Sequence, residues 1–358
     1  MSKYITYIGT YADHDYGIPV LSVNSETGAM ELLSVCRGYE RPTYLRVSAD
    51  KRFLYACAGL EEFAESGRGA LVAFAIQGTE LNLLNARPSL AGPPCYIMSD
   101  QHNQFLFAAN YHEGTGVAYR LAADGSIQEN GEALRHTGRG PHPTRQEQAH
   151  LHCMELSPSG EILYAVDLGI DTVKAYALGQ GERILTPLPS ADLHEEPGAG
   201  PRHIVFRRDG KFAYLINELA STVSVWDVAT PTAPQRLQTL SILPKSYQGA
   251  NTAAAIKLSE DGTRLCCSNR GDDSLAIFAV EAISGLLALM NISPTLGRGP
   301  RDFEFVPGGR FILVAHQYTD TLVMHEFDAE NGCLKTAPAD MLALSQQPVC
   351  IKFGSALG

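Results

Sequence analysis

Length, composition and charge already exclude several classes of protein. The chain has 358 residues, too many for one ordinary core, so its length predicts either two domains or one repeat architecture. Hydrophobic residues make up 45% and charged residues 19%, as is typical of well-packed soluble proteins, and the net charge of -11 argues against general affinity for nucleic acid or anionic membranes.

The chain begins directly in a strand-like run, YITYIGTY, and shows no signal-peptide pattern. No stretch approaches the ~18 apolar residues that a membrane span requires. The eight cysteines form no C-x-x-C pair and lie mostly in strand-like runs, which favours reduced thiols over disulfides. We therefore expect a cytoplasmic protein that does not bind a membrane.

Six later segments can be superimposed without a gap, and each contains a short strand, a polar turn and a second apolar strand. They start at Pro42, Pro94, Leu151, Pro201, Ala253 and Pro300, with separations of 52, 57, 50, 52 and 47 residues. A seventh start, at Pro348, has a single strand before the chain ends. A period of about fifty residues built from strands and turns predicts an all-β, seven-bladed β-propeller. Residues 1–358 would then form a single domain.

The last blade would need strands from both ends of the chain. The strand PVCIKF at Pro348 would be completed by YITYIGTY and IPVLSVN from the N-terminal end, and this closure removes an exposed sheet edge. The second strands, such as FLFAAN and FILVAH, are apolar without alternation, which indicates burial on both faces. A parallel α/β sheet would give similar runs, but the turns are too short for crossover helices.

Two columns of the repeat gather polar side chains at one end of the propeller. The first strand of a blade runs down the axis and the second returns, so the second residue of each repeat lies on the same face as the seventeenth and eighteenth. The second residues are Thr43, Cys95, His152, Arg202, Ala254, Arg301 and Val349. The other two columns include Tyr111, Glu218, Arg270, His316 and Gln317.

We therefore expect an axial funnel in which these columns meet. The candidate catalytic residues are His152, Arg202, Glu218 and Arg270. Tyr111, Arg301 and Gln317 are candidate substrate-binding residues, and His316 is expected on the same ring. The alternative is that the arginines and the glutamate form a structural ion-pair network between blades, since such networks resemble functional sites.

The segment RQEQAHLH, residues 145–152, leads into the third repeat and adds three substrate-binding candidates, Arg145, Gln146 and His150. A guanidinium group suits phosphate because it forms bidentate hydrogen bonds. His150 and His152 would share a strand face, as a metal-binding pair does, but the neighbouring arginines would repel a cation. We therefore expect neither a metal nor another cofactor.

Two smaller expectations concern the surroundings of the funnel. Residues 135–149 contain glycine and proline, which indicate either a lid over the funnel or a solvated connector. His203 follows Arg202 and is expected on the other face of its strand, as an inter-blade hydrogen-bonding residue.

Four segments resemble a known family: RQEQAHLHCMELSPSGEILYAVDLGIDTV, GAGPRHIVFRRDGKFAYLINELASTVSVWDV, LSEDGTRLCCSNRGDDSLAIF and GRGPRDFEFVPGGRFILVAHQ. They are similar to the propeller-type lactonases, which include bacterial 6-phosphogluconolactonases and fungal carboxymuconate cycloisomerases. The resemblance spans essentially the whole chain and implies a seven-bladed propeller with a metal-independent site for lactones. The active residues proposed for the cycloisomerase branch match His152, Arg202, Glu218 and Arg270. This sequence departs from the family pattern at Ala58-Gly59, where Asn-Glu is common, and at Tyr96, where His is common.

These groups suit the hydrolysis of a sugar lactone, for which 6-phosphoglucono-δ-lactone is the favoured substrate. Glu218 or His152 would take a proton from the attacking water, Arg202 and Arg270 would stabilise the oxyanion, and another arginine would hold the phosphate. A cycloisomerase-like, lactone-forming enzyme on a carboxylated substrate would use the same groups. A non-catalytic propeller that binds a partner on this face is a third hypothesis. The expected partner is a small anionic sugar lactone, and we expect a monomer because a closed propeller has little need to oligomerise.

Overall fold

The computed structural model describes residues 2–11, 17–344 and 346–357. Within these ranges most regular structure is antiparallel β-strand, and the helical segments are three short 3-10 turns at Glu61–Ser66, Leu168–Ile170 and Pro189–Ala191. No helix of the described residues is long and apolar enough to cross a membrane. The strands in chain order are β1 (Lys3–Thr10), β2 (Ile18–Asn24), β3 (Met30–Cys36), β4 (Leu45–Val47), β5 (Phe53–Gly59), β6 (Gly69–Gln77), β7 (Glu80–Pro88), β8 (Tyr96–Ser99), β9 (Phe105–Asn110), β10 (Thr115–Arg120), β11 (Glu132–Arg135), β12 (Leu151–Leu156), β13 (Ile162–Asp167), β14 (Thr172–Leu178), β15 (Leu185–Pro187), β16 (Leu193–His194), β17 (Pro201–Phe206), β18 (Phe212–Asn217), β19 (Thr222–Asp227), β20 (Gln235–Ser241), β21 (Thr252–Leu258), β22 (Arg264–Arg270), β23 (Ser274–Val280), β24 (Leu287–Pro294), β25 (Pro300–Phe305), β26 (Phe311–His316), β27 (Thr321–Asp328), β28 (Cys333–Leu334), β29 (Asp340–Ala343) and β30 (Pro348–Leu357).

These strands form seven antiparallel sheets in the described part of the chain. The first six blades, in order, are β4–β7, β8–β11, β12–β16, β17–β20, β21–β24 and β25–β29. The seventh joins β30 to β1, β2 and β3, so it is built from both ends of the chain. The innermost strands β30, β4, β8, β12, β17, β21 and β25 contact one another around a closed ring. The predicted seven-bladed propeller, with its last blade completed by both chain ends, is therefore confirmed.

Burial follows the distance of each strand from the axis. Second strands such as β9 and β26 are buried along their whole length, because neighbouring blades cover both of their faces. Outer strands such as β3 and β20 are largely exposed. Buried tyrosines also join adjacent blades: the hydroxyl group of Tyr55 donates to Gly125 O at 3.1 Å, and that of Tyr214 donates to Gly285 O at 3.0 Å.

Candidate active site

A repeated irregularity of the innermost strands turns side chains toward the axis. The pairing register shifts between Leu151 and Cys153, between Pro201 and His203, and between Pro300 and Asp302. The residues left over are His152, Arg202 and Arg301, the second residues of their repeats. An extra residue in one strand bends it and redirects the side chain, so these β-bulges account for the meeting of distant residues at one mouth of the channel.

The same bulge corrects the expectation for His203. We expected its side chain on the other face of the strand from Arg202, but the chain bends between them and both side chains reach the axis. The His203 ring lies 5.2 Å from the His152 ring and also packs edge-on against Tyr44 and Tyr96. His203 therefore forms part of the floor of the funnel.

Glu218 is the centre of the candidate site. Its Oε2 lies 3.1 Å from Arg202 Nε and 2.9 Å from Arg270 Nη2, and its Oε1 accepts a hydrogen bond from Arg145 Nη2 at 2.5 Å. The residue is 3% exposed. We call Glu218 with Arg145, Arg202 and Arg270 the Glu218 cluster. Arg202 and Glu218 come from the fourth blade, Arg270 comes from the fifth, and Arg145 comes from the loop that leads into the third.

The charges of this cluster decide its protonation states. Burial alone raises the pKa of a carboxyl group, but the charges of Arg270 and Arg202 outweigh burial and hold the pKa of Glu218 well below its usual value. Burial, reinforced by Arg270 and Arg301, lowers the pKa of Arg202 to about 10. At neutral pH Glu218 is therefore an anion surrounded by cations.

His152 lies beside the cluster in the opposite protonation state. Burial, helped by the charge of Arg202, lowers its pKa well below the ordinary value, so the imidazole is neutral at pH 7. Its Nδ1 is buried and has no hydrogen-bond partner among the described residues, and Arg270 Nε is in the same situation. Buried polar atoms are normally paired, so these two atoms leave hydrogen-bonding capacity in the wall of the funnel for water or a ligand.

The loop before the third blade forms a fixed wall of the funnel. Arg145 Nη2 and Nε both donate to the hydroxyl group of Tyr111, at 3.2 and 3.3 Å, while the same guanidinium group binds Glu218. Tyr111 in turn stacks on His150 at 4.5 Å. The His150 ring contacts Tyr111 O at 3.0 Å and Glu147 Oε1 at 3.2 Å, so His150 supports Tyr111 from behind.

Gln146 does not reach the funnel, contrary to our expectation that it would contact substrate. Its side chain is fully buried and its amide nitrogen donates to Leu168 O at 2.8 Å and to Asp171 Oδ1 at 2.7 Å. Its amide oxygen accepts from His142 N at 3.1 Å. These bonds anchor the loop to the third blade, so the structure favours neither of our two expectations, a lid or a solvated connector.

Arg301 also lines the funnel but has a different environment. It donates to Gln317 Oε1 at 3.2 Å and its guanidinium carbon lies 5.4 Å from the centre of the Tyr11 ring. Among the described residues no carboxylate lies within ion-pair distance of it. We call Arg301 with Tyr11, Arg41 and Tyr318 the open side of the funnel.

The funnel itself has a volume of about 540 Å³ and its described lining is cationic. Arg41, Arg145, Arg270 and Arg301 line it together with a single carboxylate, that of Glu218. His152 and Tyr111 also line it, whereas Arg202 lies deeper, against a narrow extension shared with His203. In a chain of net charge -11, this local excess of guanidinium groups makes the electrostatic potential of the funnel more positive than that expected for the protein as a whole.

Size alone does not identify the site. A larger cavity, of about 790 Å³, is a groove on the opposite face, lined by turn residues such as Glu260 and Gly308. Similar grooves recur between other blades at the equivalent turns. Because they recur with the repeat, we interpret them as a consequence of blade packing.

Comparison with known proteins agrees with this geometry. The family described as Lactonase, 7-bladed beta-propeller, matches residues 5–353. The chain belongs to this lactonase family. It is 35% identical over 358 residues to a 6-phosphogluconolactonase of Bacillus subtilis (99% of both chains) and 30% identical over 343 residues to one of Formosa agariphila (94% of this chain, 96% of the other). A solved structure described as a periplasmic gluconolactonase of Pseudomonas aeruginosa superimposes with a TM-score of 0.90 at 32% identity, covering 99% of this chain and all of the other.

The structure brings together most of the residues that the repeat columns predicted. His152, Glu218, Arg270 and Arg301 all line one cavity, as expected, and Arg202 binds Glu218 from beneath. Gln317 lies beside Arg301 at the rim. His316 is an exception: it is buried inside the sixth blade, where burial and the nearby His325 lower its pKa to about 4.

Several lining residues were missed by the sequence reasoning. Arg41, Tyr11 and Tyr318 line the funnel, as do Thr252 and His112. Arg41 could have been found, because it directly precedes Pro42 and therefore lies next to a column already identified. Tyr318 lies one residue beyond Gln317 and would have followed from reading one position further. Among the described residues no group of three or more His, Cys, Asp and Glu side chains is placed to hold a metal ion.

Proposed function

We propose that this protein hydrolyses a phosphorylated sugar lactone, with 6-phosphoglucono-δ-lactone as the best-fitting substrate. The observation that carries the proposal is the guanidinium group of Arg301, which lines the same funnel as the Glu218 cluster and, among the described residues, has no carboxylate within ion-pair distance. The cluster already contains its own carboxylate, so the remaining positive charge is available to an anionic group of the substrate. Two relatives named 6-phosphogluconolactonase over nearly the whole chain support the same substrate.

In this mechanism Arg270 polarises the lactone carbonyl. A water oxygen attacks the carbonyl carbon and forms the new C–O bond, while the carbonyl oxygen becomes an oxyanion beside the Arg270 guanidinium group. A preorganised donor of this kind contributes about 3 kcal/mol to the transition state. The tetrahedral intermediate then collapses, the bond from the carbonyl carbon to the ring oxygen breaks, and the open hydroxy acid is released.

His152 moves the proton in both steps. Its neutral ring takes a proton from the attacking water and, as an imidazolium ion, returns it to the departing ring oxygen. Glu218 is a poor base by comparison, because three arginines stabilise its charged form and its pKa is held low. The choice between Glu218 and His152, open at the level of sequence, therefore favours His152. Glu218 instead holds Arg270 and Arg145 in place.

Freshly prepared 6-phosphogluconolactone tests the proposal, with spontaneous hydrolysis subtracted from every rate. The wild-type protein should raise the rate well above the spontaneous one, and Glu218→Gln should abolish most of the increase, because the buried Arg202 and Arg270 and the half-buried Arg145 lose their counter-ion. Glu260→Gln on the opposite face is the matched control and should keep the wild-type rate. A wild-type rate equal to the spontaneous rate would reject the proposal, and full activity of Glu218→Gln would reject the site.

A further inference from the structure

Three aspartates occupy the same position in three blades and share an unusual backbone conformation. Asp171, Asp273 and Asp320 are each the twenty-first residue of their repeat. Their φ angles are 52°, 54° and 56°, in the left-handed region that few side chains adopt. Such conformations persist where the surrounding structure holds them, and here the hydrogen bonds of each carboxylate do so.

Each of these carboxylates accepts a hydrogen bond from the next blade, at the main-chain N–H directly before its first proline. Asp171 Oδ1 accepts from Gly200 N at 2.8 Å, and Asp273 Oδ1 accepts from Gly299 N at 2.7 Å. Asp320 Oδ1 accepts from Gln347 N at 2.6 Å. We call these three contacts the aspartate staples. Each joins the turn between the second and third strands of one blade to the first strand of the next blade.

The staples lie two residues before the side chains that point into the funnel. Gly200 and Gly299 precede Pro201 and Pro300, and the following residues are Arg202 and Arg301. The stapled glycines also bind the second strand of their own blade: Gly200 O accepts from Glu218 N at 2.7 Å and Gly299 O accepts from Gln317 N at 2.9 Å. The stapled turn therefore fixes both columns of the site at once.

We infer that Asp171 and Asp273 are positioning residues: Asp171 sets the Glu218 cluster and Asp273 sets Arg301 on the open side. This inference rests on the proposed function. The third staple, at Asp320, lies two residues before Val349, whose side chain is apolar. The staple is therefore a repeated feature of the fold, and in two blades it also positions residues of the site.

Asp171 has the larger role because it also fixes Arg145. Its Oδ1 accepts from Gln146 Nε2 at 2.7 Å, and its Oδ2 accepts from Gly198 N at 2.7 Å. Gln146 follows Arg145 directly, and Arg145 binds Glu218 Oε1. One buried carboxylate thus holds the two chain segments from which Arg145 and Arg202 approach opposite oxygens of Glu218.

Asp273 controls a smaller region. Besides Gly299 N, its Oδ1 accepts only a longer bond from Gly271 N, at 3.3 Å, next to Arg270. Its main-chain oxygen accepts from Thr295 N at 3.0 Å and from the Thr295 hydroxyl group at 2.8 Å. Removal of the carboxylate should therefore affect the entry of the sixth blade, and Arg301 with it, more than the Glu218 cluster.

The test compares Asp171→Ala and Asp273→Ala with Asp340→Ala. Asp340 is a matched control because its Oδ2 also accepts an inter-blade main-chain hydrogen bond, from Met30 N at 2.7 Å, but among outer strands far from the funnel. With 6-phosphogluconolactone, Asp171→Ala should lower kcat by roughly 10- to 100-fold, as expected when a supporting residue is lost. Asp273→Ala should raise KM about tenfold with a smaller change in kcat. Asp340→Ala should keep both constants within about twofold.

Crystal structures of the same variants separate this inference from the proposed function. Asp171→Ala should separate Arg202 or Arg145 from Glu218, and Asp273→Ala should displace Arg301, while Asp340→Ala leaves the funnel unchanged. If the wild-type protein hydrolyses no lactone, the proposed function fails, whatever these structures show. If the variants keep the wild-type arginine positions and the wild-type constants, or if Asp340→Ala changes kcat and KM as much as the other two, the positioning role is wrong.

Discussion

Arg202 and Arg301 occupy the same position of the repeat, yet their charges are compensated differently. Arg202 is 3% exposed and bound to Glu218, whereas Arg301 has a neutral amide and an aromatic ring as its described neighbours. A buried cation requires a counter-ion, and Glu218 supplies it for Arg202. Among the described residues Arg301 has no such counter-ion, so in the proposed function its charge is available to the substrate. In the proposed mechanism, this contrast separates the groups that act on the lactone ring from the group that recognises the anion of the substrate.

The largest expected effect comes from His152, the neutral imidazole beside the Glu218 cluster. His152→Gln should lower kcat by about 10²-fold or more, the usual contribution of a general base, while KM changes little. The measurement is the initial rate at saturating 6-phosphogluconolactone, corrected for spontaneous hydrolysis. His316→Gln is the control, because His316 is buried within its blade, away from the funnel. A kcat within threefold of wild type in His152→Gln would assign the base to another group.

A smaller effect is expected from the exposed edge of the same cluster. Arg145→Met removes one of three guanidinium groups bound to Glu218 and should lower kcat/KM about tenfold, in line with the loss of one charged hydrogen bond. Arg139→Met, on the same loop but exposed, should have no effect. Equal losses in both variants would show that the loop contributes only its general charge.

The kcat of the wild-type protein should depend only weakly on pH, because burial and neighbouring charges keep His152 neutral and Glu218 ionised. His152 must be unprotonated to act as a base, and its pKa lies well below 6.5, so it keeps the active form as the pH falls through 6.5. Glu218 stays ionised over the same range because its pKa is also lowered. We expect kcat to change by less than about twofold between pH 7.5 and pH 6. A midpoint near 6.5 would indicate an exposed histidine as the base.

The sequence was sufficient for the fold and for most of the funnel, because a closed repeat fixes which residues share a face. His152, Glu218, Arg270 and Arg301 followed from columns of the repeat alone. The position of a side chain could not be predicted where it depends on local backbone geometry, which the columns of the repeat do not describe. His203 reaches the axis because of a β-bulge, which has no clear signature in the sequence.

Gln146 and His316 show a second limit of the same reasoning. Gln146 was assigned to the funnel because it neighbours Arg145. In an irregular loop, however, adjacent side chains point in different directions, and the amide nitrogen of Gln146 donates hydrogen bonds to Asp171 and Leu168 instead. His316 closes a strand inside its blade rather than at the mouth of the funnel. The protonation states of His152 and Glu218 likewise required burial and neighbouring charges, which only the three-dimensional arrangement supplies.

The contrast between the Glu218 cluster and the open side of the funnel is tested most directly by Arg301→Met. Arg298→Met is the control, because Arg298 is exposed and lies just before the first strand of the same blade. The measurement is kcat and KM for 6-phosphogluconolactone in both variants. Arg301→Met should raise KM at least about tenfold, equivalent to roughly 1.4 kcal/mol, and leave kcat within about threefold, while Arg298→Met changes neither. An unchanged KM in Arg301→Met, or a loss confined to kcat, would contradict the assignment of anion recognition to the open side.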